Sequence, residues 1–180
     1  MLQCLPIQTA SLALRPFTMA DVPKLYQMSL ESGMRQWIPD QVYSDEDQTT
    51  DVVRFLMSQY DSKKSPLQVP FVLGIDLQKT GELIGHVGLS PAKKQVEVGY
   101  AIEEAHHGLG YATEAVSAMA SWGHSTFGLS SVLGVVAGEN IGSCRVLEKS
   151  GFVLAKEEIG NLHSWQGPIR TYKWVALSNV

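Results

Sequence analysis

A chain of 180 residues is long enough for one domain with a sizeable core. Hydrophobic residues at 44% and charged residues at 18% exclude a disordered chain. A net charge of -4 with no basic stripe argues against a nucleic-acid binder, and two cysteines without CxxC spacing argue against a disulfide framework or a zinc site.

The first residues, MLQCLPIQTASLALRP, lack the charged and apolar segments of a signal peptide. No apolar run approaches the roughly 20 residues of a membrane helix. A cytoplasmic protein is expected, with residues 1–180 forming one domain. Ser11 to Phe17 alternates and should be a strand. Thr18 can cap a helix, with Asp21 in its first turn, and Val22, Leu25, Tyr26 and Met28 mark that helix over Ala20 to Leu30. Glu31 to Tyr43 reads as a loop anchored by large apolar residues. Ser44 or Asp45 caps a helix over Glu46 to Tyr60, with Val52, Val53, Leu56 and Met57 as its buried stripe.

Asp61 to Pro70 is a polar loop. Phe71 to Asp76 and Glu82 to Ser90 form a hairpin around Lys79-Thr80-Gly81. A strand over Val96 to Ile102 comes next, then a helix over Ala112 to Phe127 that Gly128 stops. Val132 to Val136 is all apolar, as suits a strand buried on both faces. A helix starting at Asn140 or Gly142 runs to Lys149. Phe152 to Ile159 and Ile169 to Leu177 are final strands, with Gly160 to Pro168 as their loop. The expected fold is α/β or α+β: a mixed, mostly antiparallel sheet with helices on both faces. The strand–helix–strand unit from Val96 to Val136 should supply a parallel pair.

The chemistry concentrates in Glu97 to Thr113, EVGYAIEEAHHGLGYAT. A strand passes through a glycine-spaced turn into a helix N-terminus, where free backbone N–H groups and the helix dipole favour an anion. Thr113 stands where a dinucleotide fingerprint needs its third glycine, and no Gly-Lys-Ser/Thr is present after it, so neither a dinucleotide fold nor a P-loop is expected. Asn140 to Phe152, NIGSCRVLEKSGF, opens a second helix beyond the buried strand. Both turns should lie past the C-terminal ends of parallel strands, where open sheets bind ligands.

Three spaced motifs resemble one family. HHGLGYATEA is similar to the acyl-CoA pyrophosphate loop of the GNAT N-acetyltransferases. The preceding EVGY, the later N-x-x-S-x-x-V-L-E-K-x-G-F and the opening L-x-L-R-P-F-x-x-x-D look like the branch of bacterial ribosomal-protein N-terminal acetyltransferases (Rim type). The resemblance implies a GNAT-like sheet with two parallel strands splayed to form the coenzyme cleft. It implies acetyl-CoA as cosubstrate, a primary amine as acceptor (a protein N-terminus or a small molecule), no metal, and a monomer or homodimer. By the same resemblance Gly108, Leu109, Gly110, Tyr111, Ala112 and Thr113 hold the pyrophosphate. His107 stands where Gln or Arg is usual. Ala101 and Ile102 edge the pantetheine arm, Asn140 hydrogen-bonds it, and Ser143 protonates the leaving thiolate. Other branches place a Tyr acid where this chain has Leu147.

Glu97 shares a strand face with Gly99 and Ala101. It is either a general base lining a substrate channel or a solvated strand-end carboxylate. His86 on the neighbouring strand is the second candidate base, or a half-buried structural residue. Cys144 has no base beside it, so direct attack without an acyl-enzyme is expected. Adjacent His106 and His107 point apart and are no metal pair. Trp37, Tyr43 and Trp165 are candidates for the acceptor pocket, whose specificity should depend on Glu31–Tyr43 and Gly160–Pro168. The alternative to an enzyme is an acyl-CoA-binding sensor or interaction module that keeps the fold.

Overall fold

The alternating stretch Ser11 to Phe17 forms one strand, trimmed to Leu12–Arg15, and a further short strand precedes it. A short β1 (Ile7–Gln8) folds back antiparallel on β2 (Leu12–Arg15). The computed structural model describes residues 5–60, 64–163 and 165–176. Cys4, the start of the loop expected from Asp61, Ser164 and the strand end expected at Leu177 therefore lie outside the described residues.

Leu12 and Leu14 are fully buried, and between them and α1 (Val22–Ser29) the chain is held by charge. The Arg15 guanidinium forks onto Asp21, with both N–O distances 2.8 Å, and its Nε lies 2.6 Å from Asp76. Asp21 also accepts the Thr18 backbone N–H at 2.7 Å. Burial pushes the Asp21 carboxyl up, but Arg15 and the Thr18 amide outweigh it and hold the group below its ordinary value. The L-x-L-R-P-F-x-x-x-D motif is thus a clamp between β2, the start of α1 and the third strand.

Glu31 to Tyr43 is not the expected loop. It contains α2 (Ser32–Trp37) and a 3₁₀ turn, Pro39–Gln41. Local signals hide this helix because its N-terminal donors are satisfied from far away: the Glu104 carboxylate accepts from Ser32 Oγ at 2.6 Å and from the Gly33 N–H at 2.9 Å. α3 spans Glu46–Tyr60 and is capped by Asp45, which accepts the Gln48 N–H at 2.8 Å.

The strands β3 (Phe71–Leu77), β4 (Leu83–Ala92) and β5 (Gln95–Ile102) form an antiparallel meander. α4 (Tyr111–Phe127) crosses to β6 (Ser131–Ala137), and α5 (Ile141–Lys149) comes after it. β7 (Val153–Leu162) and β8 (Trp165–Val175) close the chain. The loop expected at Gly160–Pro168 is mostly hairpin ladder, since Gly160 pairs with Gly167 and Leu162 with Trp165. Its Gly and Pro content reads locally as loop, but the register with the partner strand keeps it extended.

The eight strands lie in the order β1-β2-β3-β4-β5-β6-β8-β7, with β5 and β6 the parallel pair. One sheet face packs on α4 and α5 through Leu12, Phe71, Leu89, Met119 and Leu147. The other packs on α1 and α3 through Phe17, Leu25, Val53 and Leu56. Each such side chain contributes about 1.5–3 kcal/mol on burial. The mixed sheet with helices on both faces is the architecture expected from the order of elements.

Candidate functional site

β5 and β6 share a single rung, Glu97 opposite Leu133, among the described residues. Beyond it β5 stays paired with β4, and β6 with β8, while their facing edges part. A cleft of about 950 Å³ runs through this gap from one sheet face to the other. That is the upper end of the range for small-molecule sites.

One mouth of the cleft is the glycine turn. Gly108 and Gly110 sit at φ 76° and 88°, in the left-handed region that side chains disfavour. A Cβ on either would meet nothing within 4 Å, so conformation rather than crowding calls for glycine here. α4 starts at Tyr111, and the first helical bond runs from Glu114 N–H to Gly110. The N–H groups of Tyr111, Ala112 and Thr113 therefore lack helical acceptors. Glu114, which would repel an anion, is engaged by the Ser11 N–H at 2.7 Å. Arg145 and Lys149 line the same side from α5. They lie four residues apart on one helix face, and that spacing within the Asn140–Phe152 motif is the signal by which they could have been found. His107 also lines the cleft, with its Nε2 2.7 Å from the Ile102 carbonyl. A carbonyl only accepts, so Nε2 carries the proton, and Nδ1 can donate to a phosphate only in the imidazolium. The Ile102 carbonyl is likewise occupied, and the Ala101 carbonyl faces Gly85 on β4, so the open strand edge here is carried by the flanking Tyr100 carbonyl and Ile102 amide.

α5 is capped by Asn140, whose Oδ1 accepts the Ser143 N–H at 3.0 Å. Capping uses the carbonyl end of the side chain and leaves the NH₂ end without a protein partner among the described residues. Ser143 meets Tyr100 from β5: the phenol oxygen lies 3.1 Å from Ser143 Oγ and 3.1 Å from its carbonyl. Burial pushes the Tyr100 hydroxyl up to about 12, so it keeps its proton. Tyr100 is visible in the sequence only as part of EVGY; nothing local says that it spans the gap. Cys144 is buried beside the Gly138 carbonyl, as expected of a small apolar residue.

On the opposite sheet face lie Glu97, Gly99 and Ala101. Burial pushes the Glu97 carboxyl up, while His163 and the Val135 backbone amide act in the opposite direction. Glu97 is half-buried rather than fully solvated. His86 stands opposite Ala101 and is buried, which lowers its pKa to about 4 and keeps the ring neutral. A side chain at Gly99 would meet nothing within 4 Å of its Cβ. This end of the cleft is walled by Trp37, Ile38 and Gln41 on one side and by Leu162 and His163 on the other. The two walls join where His163 Nδ1 lies 2.6 Å from Asp40. Tyr43 packs into the second core instead, and Trp165 is not among the cleft residues.

Glu82, Glu103 and His106 come close enough to share a cation. Lys24 supplies it, with Nζ 2.6 Å from Glu103 and 3.6 Å from Glu82. Among the described residues no helix is long and apolar enough to cross a membrane.

The model of the acetyltransferase (GNAT) domain matches residues 11–153. The uncharacterized N-acetyltransferase YoaA of Bacillus subtilis is 28% identical over 149 residues, 81% of each chain. YnaD of the same organism, also an uncharacterized N-acetyltransferase, is 26% identical over 147 residues, again 81% of each. Among solved structures, a GNAT-family acetyltransferase from Bacillus anthracis superposes with a TM-score of 0.80 at 21% identity, covering 94% of this chain and 97% of that one. RimL, a ribosomal L7/L12 α-N-protein acetyltransferase solved with coenzyme A, superposes with a TM-score of 0.76 at 18% identity, covering 93% and 95%.

Proposed function

This chain belongs to the GNAT acetyltransferase family, and from that premise we propose that it moves an acetyl group from acetyl-CoA to a primary amine by direct attack, with residues 1–180 acting as one cytoplasmic acyltransferase domain. The observation that carries this reading is the cleft through the β5/β6 gap, cationic and amide-lined at one mouth and carboxylate-bearing at the other. The residues fit the substrate. Backbone amides of Gly108 to Thr113 suit a pyrophosphate, with Arg145 and Lys149 adding charge. The open β5 edge that flanks Ala101, at Tyr100 and Ile102, suits an amide-bearing arm, and the Asn140 NH₂ group can donate to it. No metal is invoked.

Acetyl-CoA supplies an activated thioester, and the protein supplies order and proton management. Glu97 removes a proton from the incoming ammonium; its raised pKa brings it closer to the working range of a general base. His86, neutral and well below that range, is the weaker candidate. A backbone N–H near Ala101 suits the developing oxyanion; a preorganised donor of this kind contributes about 3 kcal/mol. Ser143 faces the gap from the other side and donates a proton to the departing sulfur. The acceptor is a protein N-terminus or a small amine that reaches Glu97 between Trp37 and Leu162.

The test is release of free thiol when acetyl-CoA is mixed with the protein and a panel of small amines and N-terminal peptides. Release with at least one amine is the expected result, and mass spectrometry then locates the acetyl group. Coenzyme binding without release across the panel would turn the reading to a sensor. Failure to bind CoA would overturn both.

A further inference from the structure

The two walls of the cleft have little reason to touch beyond Glu97, since β5 and β6 no longer share a ladder there. Tyr100 nevertheless reaches across from β5 to the first turn of α5. Its side chain points to the face opposite Glu97, as strand alternation requires. Its hydroxyl has two neighbours at 3.1 Å, the Oγ and the carbonyl of one residue, Ser143. The Ser143 amide is already tied to Asn140 Oδ1. The residue is therefore fixed at its backbone by the helix cap and at its side chain by a phenol from the far wall.

A serine hydroxyl rotates, carries one proton and accepts through two lone pairs. We propose that Tyr100 is a positioning residue for acetyl transfer: by donating to Ser143 Oγ across the cleft, it holds the serine so that its own proton faces the gap. This rests on the reading of Ser143 as proton donor. When the tetrahedral adduct collapses, the C–S bond breaks and its electron pair leaves with sulfur. The sulfur takes the Ser143 proton, and the serine is reprotonated from solvent. Glu97 has taken one proton from the ammonium before attack and passed it to solvent. The adduct nitrogen gives up its second proton to solvent, so that one proton ends on the thiol and one is released. Tyr100 loses nothing in this sequence; it orients the donor. Leu147, packed against Gly134, presents only an apolar side chain to the cleft, so it offers no proton there.

The test compares the wild type with Tyr100→Phe, Ser143→Ala and the double variant, using CoA itself as probe. A hydrogen bond to sulfur favours the thiolate, so the thiol of CoA bound to the wild type should ionise at lower pH than in Ser143→Ala, monitored by thiolate absorbance. Tyr100→Phe should shift this titration in the same direction as Ser143→Ala, and the double variant should match Ser143→Ala. With an amine identified by thiol release, Tyr100→Phe should lower kcat roughly tenfold, about the loss of one hydrogen bond, with the KM for acetyl-CoA unchanged. A thermal midpoint lowered by Tyr100→Phe with a wild-type titration would show a mere tether and overturn the proposal. So would a double variant shifted beyond Ser143→Ala, which would show that Tyr100 meets sulfur directly. If Ser143→Ala alone titrates like the wild type, the proton-donor reading falls, and the positioning role with it. If CoA does not bind, the acetyl-CoA reading falls first and takes the proposal with it.

Discussion

The side chain of Leu147 fills the space that Gly134 leaves empty: a Cβ at position 134 would lie 2.5 Å from Leu147 Cδ2. α5 sits against β6 at this point, and Leu147 is 1% exposed. Leu147→Tyr, which would restore the tyrosine other family branches carry here, should overfill the core. The expected cost is about 1–3 kcal/mol with no gain in turnover. Urea unfolding together with steady-state rates checks this; a faster, equally stable variant would contradict it.

Glu97→Gln should lower kcat/KM by roughly a hundredfold, in keeping with loss of a general base. Burial raises the Glu97 pKa, so the acid limb of the wild-type pH profile should lie above the ordinary carboxylate range and vanish in the variant. Stability responds in the opposite sense. The ionised form is disfavoured by folding, so its cost is absent below the unfolded carboxylate pKa and grows as pH rises through the folded one. Glu97→Gln should therefore be more stable than wild type at neutral pH, with the difference closing in acid. Thermal midpoints measured across pH decide it.

Gly99→Leu should fold well, because its side chain meets open space and strand glycine is entropically costly. The added side chain would occupy the channel between Glu97 and Ala101. The KM for the amine should rise at least about tenfold while acetyl-CoA affinity holds, the pattern of lost acceptor binding alone. Unchanged acceptor kinetics would move the amine away from this strand face.

Gly110→Ala places a side chain at φ 88°, a strain of about 1–2 kcal/mol. It should raise the KM for acetyl-CoA and leave kcat at saturation nearly intact. Calorimetric binding of CoA reads this directly, and undiminished affinity would separate the turn from the coenzyme.

Much of this architecture is legible in local pattern. The 3.6-residue stripe near Glu46–Tyr60 marks α3, although Met57 of the expected stripe is exposed, and the alternation around Leu12 and Leu14 marks β2 within a longer expected strand. The glycine turn before α4 is legible for the same reason, since positive φ leaves a residue-type signature. The elements that escape local pattern depend on partners distant in sequence. α2 is capped by a glutamate 72 residues away, and the Gly160–Pro168 stretch is held extended by register. The site divides along the same line. Backbone-borne features such as Gly108, Gly110 and Asn140 announce themselves, whereas the Tyr100–Ser143 and Asp40–His163 contacts arise only when the chain folds.

The parting of β5 from β6 leaves two internal strand edges whose peptide groups have no ladder partner in each other. Such groups are costly to leave unmatched away from water. A ligand whose arm carries amides can complete that ladder, acting as a ninth, borrowed strand. Folding and metabolite supply are then linked: at a hundred times its dissociation constant, such a ligand adds about 2.7 kcal/mol to stability. The fold's resistance to unfolding and to proteolysis would rise and fall with the concentration of its own substrate.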